Sequence, residues 1–225
     1  MFLQKNGVDV NFLHIPRTGG RYVANLLVNS GYSYSENFPA SGHRHIYYKG
    51  KELLHLNLKE EEEVAKICNK EIPKIRFTII RNPVDKFISF SKVFYSYIKL
   101  INLDWKDMEN SEVFEEIMDR FGFLSGSNDS DKLELVFGLK NLGNNAYINQ
   151  TEFIDDTVKV WKFEDGLDKK FVEWLNDEVG LDNVVLNEVS YKKKSYDEHD
   201  YKFSDEFKLV LKNYFKAEMK YFDYE

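Results

Sequence analysis

The sequence predicts an α/β protein whose central parallel sheet is covered by helices on both faces. Short apolar runs rich in β-branched and aromatic residues are typical of buried strands, and helical patterns separate them along the chain. Strands that alternate with helices form parallel sheets, and ligands bind such sheets beyond the carboxyl ends of the strands. The predicted strands are residues 8–15, 75–80 and 157–163.

The helices are predicted from their apolar stripes and their end signals. Val23, Leu26 and Leu27 lie on one side of the first helix. Asn82 followed by Pro83 is typical of a helix N-cap and the first helical position. We predict helices at residues 22–29, 59–69, 83–99, 111–121 and 204–221, another that ends at residue 174, and a polar, lysine-rich loop at 187–201.

Size and charge limit the possible functions. The chain has 225 residues, which suits one domain spanning residues 1–225. Hydrophobic residues make up 43% of it and aromatic residues 16%, enough for a sizeable core. The net charge is -7, so general binding to nucleic acid is not expected. Any polyanionic ligand must therefore meet a local cluster of basic side chains.

The single cysteine, Cys68, excludes an internal disulfide framework and a cysteine-based zinc site. The sequence has no apolar run of about 18 residues, the length of a membrane span. Residues 1–10 lack the apolar stretch of a signal peptide. We therefore expect a cytoplasmic protein without a membrane anchor.

The segment between the first strand and the first helix is the first candidate site. Gly19 and Gly20 allow the backbone to approach a ligand closely, and N–H groups at a helix start attract anions. Arg17 and Arg21 add positive charge on both sides of the glycines, and Thr18 adds a hydroxyl. The pattern predicts a cradle for a phosphate or phosphosulfate group. The alternative is an ordinary strand-to-helix turn with two solvated arginines.

This loop is not a Walker A loop. Such a loop needs a Gly-Lys pair followed by Ser or Thr, and the nearest Gly-Lys pair, Gly50-Lys51, is followed by Glu52. The lysine and the magnesium-binding hydroxyl of a standard kinase or ATPase are therefore missing.

A second candidate anion site follows the strand at 75–80. Arg81 stands where that strand meets a helix start, and an arginine there binds phosphate through two parallel hydrogen bonds. Ser89 lies about two turns further on, so its hydroxyl can share only a ligand that lies along the helix. The alternative is a local ion pair between Arg81 and Asp85. Two anion sites suit a donor with phosphates at both its 5′ and its 3′ end.

The two segments resemble the donor-binding motifs of carbohydrate sulfotransferases. Residues 14–20 resemble the 5′-phosphosulfate loop of that family, H-x-P-K-T-G-G-T-S. Residues 81–89 resemble its 3′-phosphate motif, R-x-P-x-x-R-x-x-S. The similarity to the heparan sulfate 2-O-sulfotransferase-like members extends to residues 150–153, 158–164 and 221–224 and is weakest at 100–143.

The resemblance implies a fold and a reaction. The fold is the three-layer, P-loop-like sulfotransferase fold with a central parallel sheet. The reaction moves a sulfuryl group from 3′-phosphoadenosine-5′-phosphosulfate (PAPS) to an acceptor hydroxyl, implied to be on a glycan, and leaves 3′-phosphoadenosine-5′-phosphate (PAP), without a metal. The implied donor-binding residues are Arg17, Thr18, Gly19, Gly20, Arg21 and Tyr22 for the phosphosulfate, with Arg81, Ser89 and Lys194 for the 3′-phosphate.

Some of these positions depart from the family pattern or have another interpretation. Arg17 replaces the loop lysine that stabilises the bridging oxygen, and it is bulkier and cannot give up a proton. Arg21 and Tyr22 replace a Thr-Ser pair. The lysine run at 192–194 is also typical of a solvated loop.

The acceptor hydroxyl must lose a proton, and residues 40–45 offer two histidines. The segment resembles the Gly-His segment that supplies the base in this group, which selects His43. His45 lies on the same face by strand alternation and is a helper or the alternative base. A polar strand end with surface histidines remains the other interpretation.

Two other functions stay open. A divergent nucleotide kinase would require magnesium and turn over ATP. A catalytically degenerate PAPS- or PAP-binding protein would bind the nucleotide without turnover, which the replacement of the loop lysine by Arg17 motivates.

Overall fold

The computed structural model describes most of the first ninety residues and two later stretches of the chain. The described residues are 1–35, 37–38, 47–48, 51–52, 55–90, 149–186 and 205–224. They divide into two compact units, one within Met1–Asn82 and Ile148–Tyr191, the other within Pro83–Tyr147 and Lys192–Glu225. The predicted helix at 111–121 and the predicted loop at 187–201 lie outside the described residues.

A mixed, open sheet of five strands is the framework of the first unit. The described strands are β1 (Phe2–Lys5), β2 (Val8–Leu13), β3 (Ser33–Tyr34), β4 (Tyr47–Tyr48), β5 (Lys51–Glu52), β6 (Ile75–Ile80) and β7 (Lys159–Lys162). The strand order is β3-β1-β2-β6-β7, and β4 pairs with β5 in a separate antiparallel ladder. β2, β6 and β7 are parallel to one another, as predicted.

The sheet is not purely parallel, so the predicted parallel sheet is wrong for its β1–β3 side. β1 precedes the first predicted strand and runs antiparallel to both β2 and β3. Asn6 and Gly7 connect β1 to β2 and have positive φ angles of 52° and 77°. Two-residue turns with positive φ match the twist of a hairpin, and Asn-Gly is their commonest sequence. This dipeptide therefore explains the antiparallel edge.

The described helices fall close to their predicted positions, and residues 91–99 of the helix predicted at 83–99 lie outside the described residues. They are α1 (Gly20–Asn29), α2 (Leu58–Cys68), α3 (residues 83–90), α4 (Lys169–Trp174), α5 (Asp205–Tyr214) and α6 (Lys216–Tyr221). α4 continues as a π-helical turn over Leu175–Val179, and 3-10 turns cover Gln150–Phe153 and Phe163–Asp165. The single helix predicted at 204–221 is interrupted at Phe215. None of the helices in the described parts of the chain combines the length and the apolar character needed to cross a bilayer.

Helices cover both faces of the sheet in the first unit. Consecutive strand residues point to opposite faces, and Phe2 and Leu3 accordingly join different apolar clusters. Leu3 lies with buried residues of β2, β6, α1 and α4, where Phe12 and Phe77 stack with their ring centroids 4.9 Å apart. Phe2 lies with buried residues of α2, including Val64. The α/β architecture is therefore confirmed for this unit.

The α2 face also buries an ion pair. Arg76 on β6 lies 3.0 Å from the carboxylate of Glu61, which is fully buried, and Arg76 also contacts Asp155 at 3.2 Å. Asn11 donates a hydrogen bond of 2.7 Å to the same Glu61 carboxylate. α2 itself begins with a capping box in which Asn57 and Glu60 bond each other's main-chain N–H.

The second unit contains α3, α5 and α6 among the described residues. Its buried side chains include Val84 and Phe87 of α3 and Leu211 of α5. Phe87 lies against Phe215, at the junction of α5 and α6, with ring centroids 6.1 Å apart.

Candidate anion-binding site

The ends of β2 and β6, where the two predicted anion-binding segments begin, lie side by side in the first unit. β2 and β6 are parallel neighbours, and Leu13, the last residue of β2, pairs with Thr78 of β6. The segments that follow them leave the same edge of the sheet, where ligands bind open α/β sheets. The guanidinium Nη1 of Arg81 donates to the main-chain oxygen of Arg17 at 3.2 Å. The structure therefore brings together residues that are far apart in the sequence.

The first loop makes a tight turn before α1. Arg17 has a φ of 69°, in the left-handed region that residues with a side chain rarely adopt, and its side chain is exposed. Thr18 is fully buried and its hydroxyl donates to the main-chain oxygen of Ile15 at 2.8 Å. The hydroxyl proton of Thr18 thus stabilises the turn, and its predicted contact with a ligand stays a prediction.

The two glycines are required by packing on the protein side. A Cβ on Gly20 would overlap the imidazole ring of His14. A Cβ on Gly19, whose φ is 89°, would lie 2.8 Å from Leu167 Cδ1 and 3.0 Å from Phe163 Cε2. Close approach to these side chains accounts for the Gly-Gly pair without a ligand, so the glycines are weaker evidence for anion binding than the arginines.

The amino end of α1 carries positive charge where helices usually carry negative charge. Gly19 is the N-cap, and within the described residues no side chain caps this end. The first turn has no acidic residue, and Arg21, its second residue, is exposed. A cation here opposes the helix dipole, which favours anions at the amino end. A bound anion would interact favourably with this end of the helix dipole and with the charge of Arg21.

Gln150 and Phe163 contact Arg81, and Glu164 contacts the residue that follows it. The side-chain amide of Gln150 accepts from the main-chain N–H of Arg81 at 2.9 Å and donates to its carbonyl at 2.8 Å. The guanidinium lies over the ring of Phe163, 4.8 Å from its centroid. The next residue, Asn82, donates its main-chain N–H to Glu164 at 2.8 Å. The carboxylate of Glu164 thus already takes one N–H of the predicted second anion site.

Tyr22 lies between the site and the core. Its ring is half-buried and packs against the apolar cluster that contains α1. Burial, together with the nearby charge of Asp168, raises the pKa of Tyr22. The phenol therefore stays protonated at neutral pH and keeps a proton to donate.

Two residues that support the site carry no sequence signal. His55 is buried, and its Nδ1–H donates to the main-chain oxygen of His14 at 2.9 Å, across 41 residues. The centroids of the two imidazole rings lie 4.5 Å apart, so the rings are in contact at the base of the first loop. Gln150 supports the second loop across 69 residues. Neither contact follows from a local pattern.

The remaining predicted residues are placed in part. Ser89 is half-buried in α3. His43, His45 and Lys194 lie outside the described residues, so their roles stay predictions. In the part of the chain that the structure describes, no three His, Cys, Asp or Glu side chains are grouped as a metal site.

Comparisons of the chain with protein-family models, with curated proteins and with solved structures give no match.

Proposed function

We propose that this protein is a sulfotransferase that uses PAPS as donor and a hydroxyl group of a glycan as acceptor. The observation that carries the proposal is the contact between Arg81 and Arg17 at the carboxyl edge of two parallel strands. It joins the segment that resembles the 5′-phosphosulfate loop to the segment that resembles the 3′-phosphate motif. The proposal includes the three-layer sulfotransferase fold and a cytoplasmic location.

The charges of the described residues fit such a donor. Arg17 and Arg21 are exposed on either side of the glycines, and the first turn of α1 contains no acidic residue. Arg81 contributes a guanidinium from the adjacent strand end. In a chain of net charge -7, three arginines around one helix start are best explained by a polyanionic ligand.

Each residue has a proposed role toward the donor. The N–H groups of the α1 start, with Arg17 and Arg21, bind the 5′-phosphosulfate, and Thr18 and Tyr22 shape that pocket. Arg81, with Ser89 and Lys194, binds the 3′-phosphate. Arg17 also stabilises the negative charge that grows on the bridging oxygen during transfer.

The chemistry is a displacement at sulfur. The acceptor oxygen forms a bond to sulfur while the bond from sulfur to the bridging oxygen breaks, and the electron pair stays on the departing PAP. The proton of the acceptor hydroxyl goes to His43, or to His45 if that residue is the base. No metal takes part in this scheme.

A transfer assay tests the proposal. Purified protein is incubated with sulfur-labelled PAPS and a panel of glycans, and labelled acceptor and PAP are measured together. Equal amounts of labelled glycan and PAP support a sulfotransferase. Tight PAP binding without transfer to any acceptor would instead indicate a degenerate binding protein. Magnesium-dependent turnover of ATP would indicate a nucleotide kinase.

A further inference from the structure

The side chain of Gln150 forms hydrogen bonds with the main chain of Arg81, as a neighbouring strand would do. β6 ends at Ile80, and the last residue pair between β6 and β7 joins Ile80 to Lys162. At the next residue, Gln150 bonds both the N–H and the carbonyl of Arg81, at 2.9 Å and 2.8 Å. One amide thus extends the hydrogen bonding of the sheet by one residue.

This pairing requires the chemistry of an amide. Gln150 is fully buried, and its side chain offers an acceptor to the Arg81 N–H and a donor to the Arg81 carbonyl. A carboxylate lacks the donor, and an apolar side chain lacks both groups. The pair of bonds fixes the direction in which the main chain leaves β6 and hence the direction of the Arg81 side chain.

With the main chain of Arg81 held in this direction, its guanidinium reaches two groups. Phe163 lies beneath it, and the main-chain oxygen of Arg17 accepts from its Nη1. Arginine binds phosphate through several N–H donors in one rigid plane, so a small rotation of the guanidinium plane breaks hydrogen bonds. Gln150 therefore sets the orientation of Arg81. Because Gln150 is buried, it cannot itself touch a ligand that the exposed arginines hold.

We propose that Gln150 is a positioning residue of the donor site, which orients Arg81 to bind the 3′-phosphate. This inference rests on the proposed function. It predicts that the contribution of Gln150 to nucleotide binding passes through Arg81 and concerns only ligands that carry a 3′-phosphate.

The test is calorimetry of PAP and AMP binding to a set of variants. Gln150→Met keeps the side-chain length and removes the amide, and it should weaken PAP about tenfold, by loss of part of a charge-assisted interaction, with AMP unchanged. In an Arg81→Ala background, Gln150→Met should have almost no further effect on PAP. If Gln150→Met does not fold, Gln150→Asn retains an amide that is too short to reach both groups of Arg81, and it should show a smaller loss in the same direction.

Asn176 offers a matched control. Its side chain makes the same two-way pair with the main chain of Val184, at 3.1 Å and 2.9 Å. Asn176→Leu removes that pair at a distant position in the sequence and should leave the ratio of PAP to AMP affinity unchanged, although it lowers stability.

The outcomes distinguish failure of the proposed function from failure of the proposed role of Gln150. If the unaltered protein binds PAP and AMP equally, the proposed function fails and the inference with it. If the unaltered protein prefers PAP and Gln150→Met keeps that preference, the inference alone is overturned and Gln150 is an ordinary structural residue. Equal weakening of PAP and AMP, or an additive loss in the Arg81→Ala background, also overturns it.

Discussion

The guanidinium of Arg81 donates to the main-chain oxygen of Arg17 at 3.2 Å, although the two residues are 64 positions apart. The contact joins the turns that follow β2 and β6, two parallel neighbours of the sheet. It places a third arginine beside the start of α1, where Arg17 and Arg21 are already exposed. Three arginines therefore lie at or beside the start of α1.

Arg81→Ala should weaken PAP at least about tenfold and leave AMP nearly unchanged. Each charge-assisted hydrogen bond to a phosphate contributes about 1.5–3 kcal/mol, and AMP lacks the 3′-phosphate that Arg81 is proposed to bind. Isothermal calorimetry measures both affinities. Lys66→Ala, at the exposed end of α2, removes the same charge elsewhere and should change neither affinity. Equal losses of affinity for PAP and AMP would show that Arg81 does not bind the 3′-phosphate.

Arg17 should matter for its charge rather than for its exact shape. Arg17→Lys should retain transfer, whereas Arg17→Ala should lower turnover on the order of 10²–10³, the usual effect of removing a preorganised donor from a developing negative charge. Single-turnover transfer from labelled PAPS measures both. Normal turnover by Arg17→Ala on any acceptor would show that Arg17 has no role in the transfer.

The backbone of Arg17 allows a second test on the same residue. Its φ of 69° is unfavourable for a residue with a side chain by about 1–2 kcal/mol, and glycine relieves that strain at a cost in chain entropy of about 0.5–1 kcal/mol. Arg17→Gly should therefore be as stable as the unaltered protein or more stable by up to about 1 kcal/mol, while losing transfer. Urea unfolding measures the stability, and a clear destabilisation would contradict the strained conformation.

The first loop illustrates how far the sequence alone can be interpreted. The strand, the turn and the helix were predictable because apolar periodicity and helix-end signals are local. The reason for Gly19 and Gly20 was not predictable, because the side chains that require them, Phe163 and His14, include one from a distant strand end. The sequence pattern predicted that the glycines make room for a ligand. In the structure they make room for the side chains of Phe163 and His14.

The second loop shows the same limit. Arg81 was predictable as an anion-binding residue from its place after a strand and before Asn82-Pro83. Gln150 was not, because a single buried amide has no periodic pattern and its partner is 69 residues away. The antiparallel edge of the sheet was predictable in principle from Asn6-Gly7, since that dipeptide is a strong local hairpin signal.

Gly19→Ala should cost more stability than Gly31→Ala. Both glycines have a φ of 89°, so both variants incur the same backbone cost of about 1–2 kcal/mol. Among the described residues, a Cβ on Gly31 meets Lys5 Cε alone, at 3.7 Å, whereas a Cβ on Gly19 crowds Leu167 and Phe163 and adds about 1–3 kcal/mol of overpacking. Chemical denaturation of the two variants measures the difference. Equal losses would contradict the packing described around the first loop.

The buried carboxyl of Glu61 should give the stability a pH dependence. Burial raises the pKa of Glu61, against the charges of the Met1 amino group and Arg76 and the hydrogen bond from Asn11. Because the folded state then holds this proton to higher pH than the unfolded state, the contribution of Glu61 to stability falls as pH rises from 4.5, the ordinary pKa of a glutamate, to the raised pKa.

Glu61→Gln removes this titration. The stability of the unaltered protein relative to Glu61→Gln should therefore be greatest at acidic pH and decline toward neutral pH, as measured by urea unfolding across that range. A relative stability that instead increases with pH would mean that attraction to Arg76 outweighs burial and that the pKa of Glu61 is lowered.

We propose that the chain binds a nucleotide through both a 5′- and a 3′-phosphate, and calorimetry of the unaltered protein with PAP, AMP and ATP is the decisive test. The arrangement of Arg17, Arg21 and Arg81 predicts that PAP binds at least about tenfold more tightly than AMP, since one additional charge-assisted interaction contributes about 1.5–3 kcal/mol. PAP should also bind more tightly than ATP, with or without magnesium. Equal affinity for PAP and AMP, or tightest binding of ATP with magnesium, would show that the protein does not bind a nucleotide in this way.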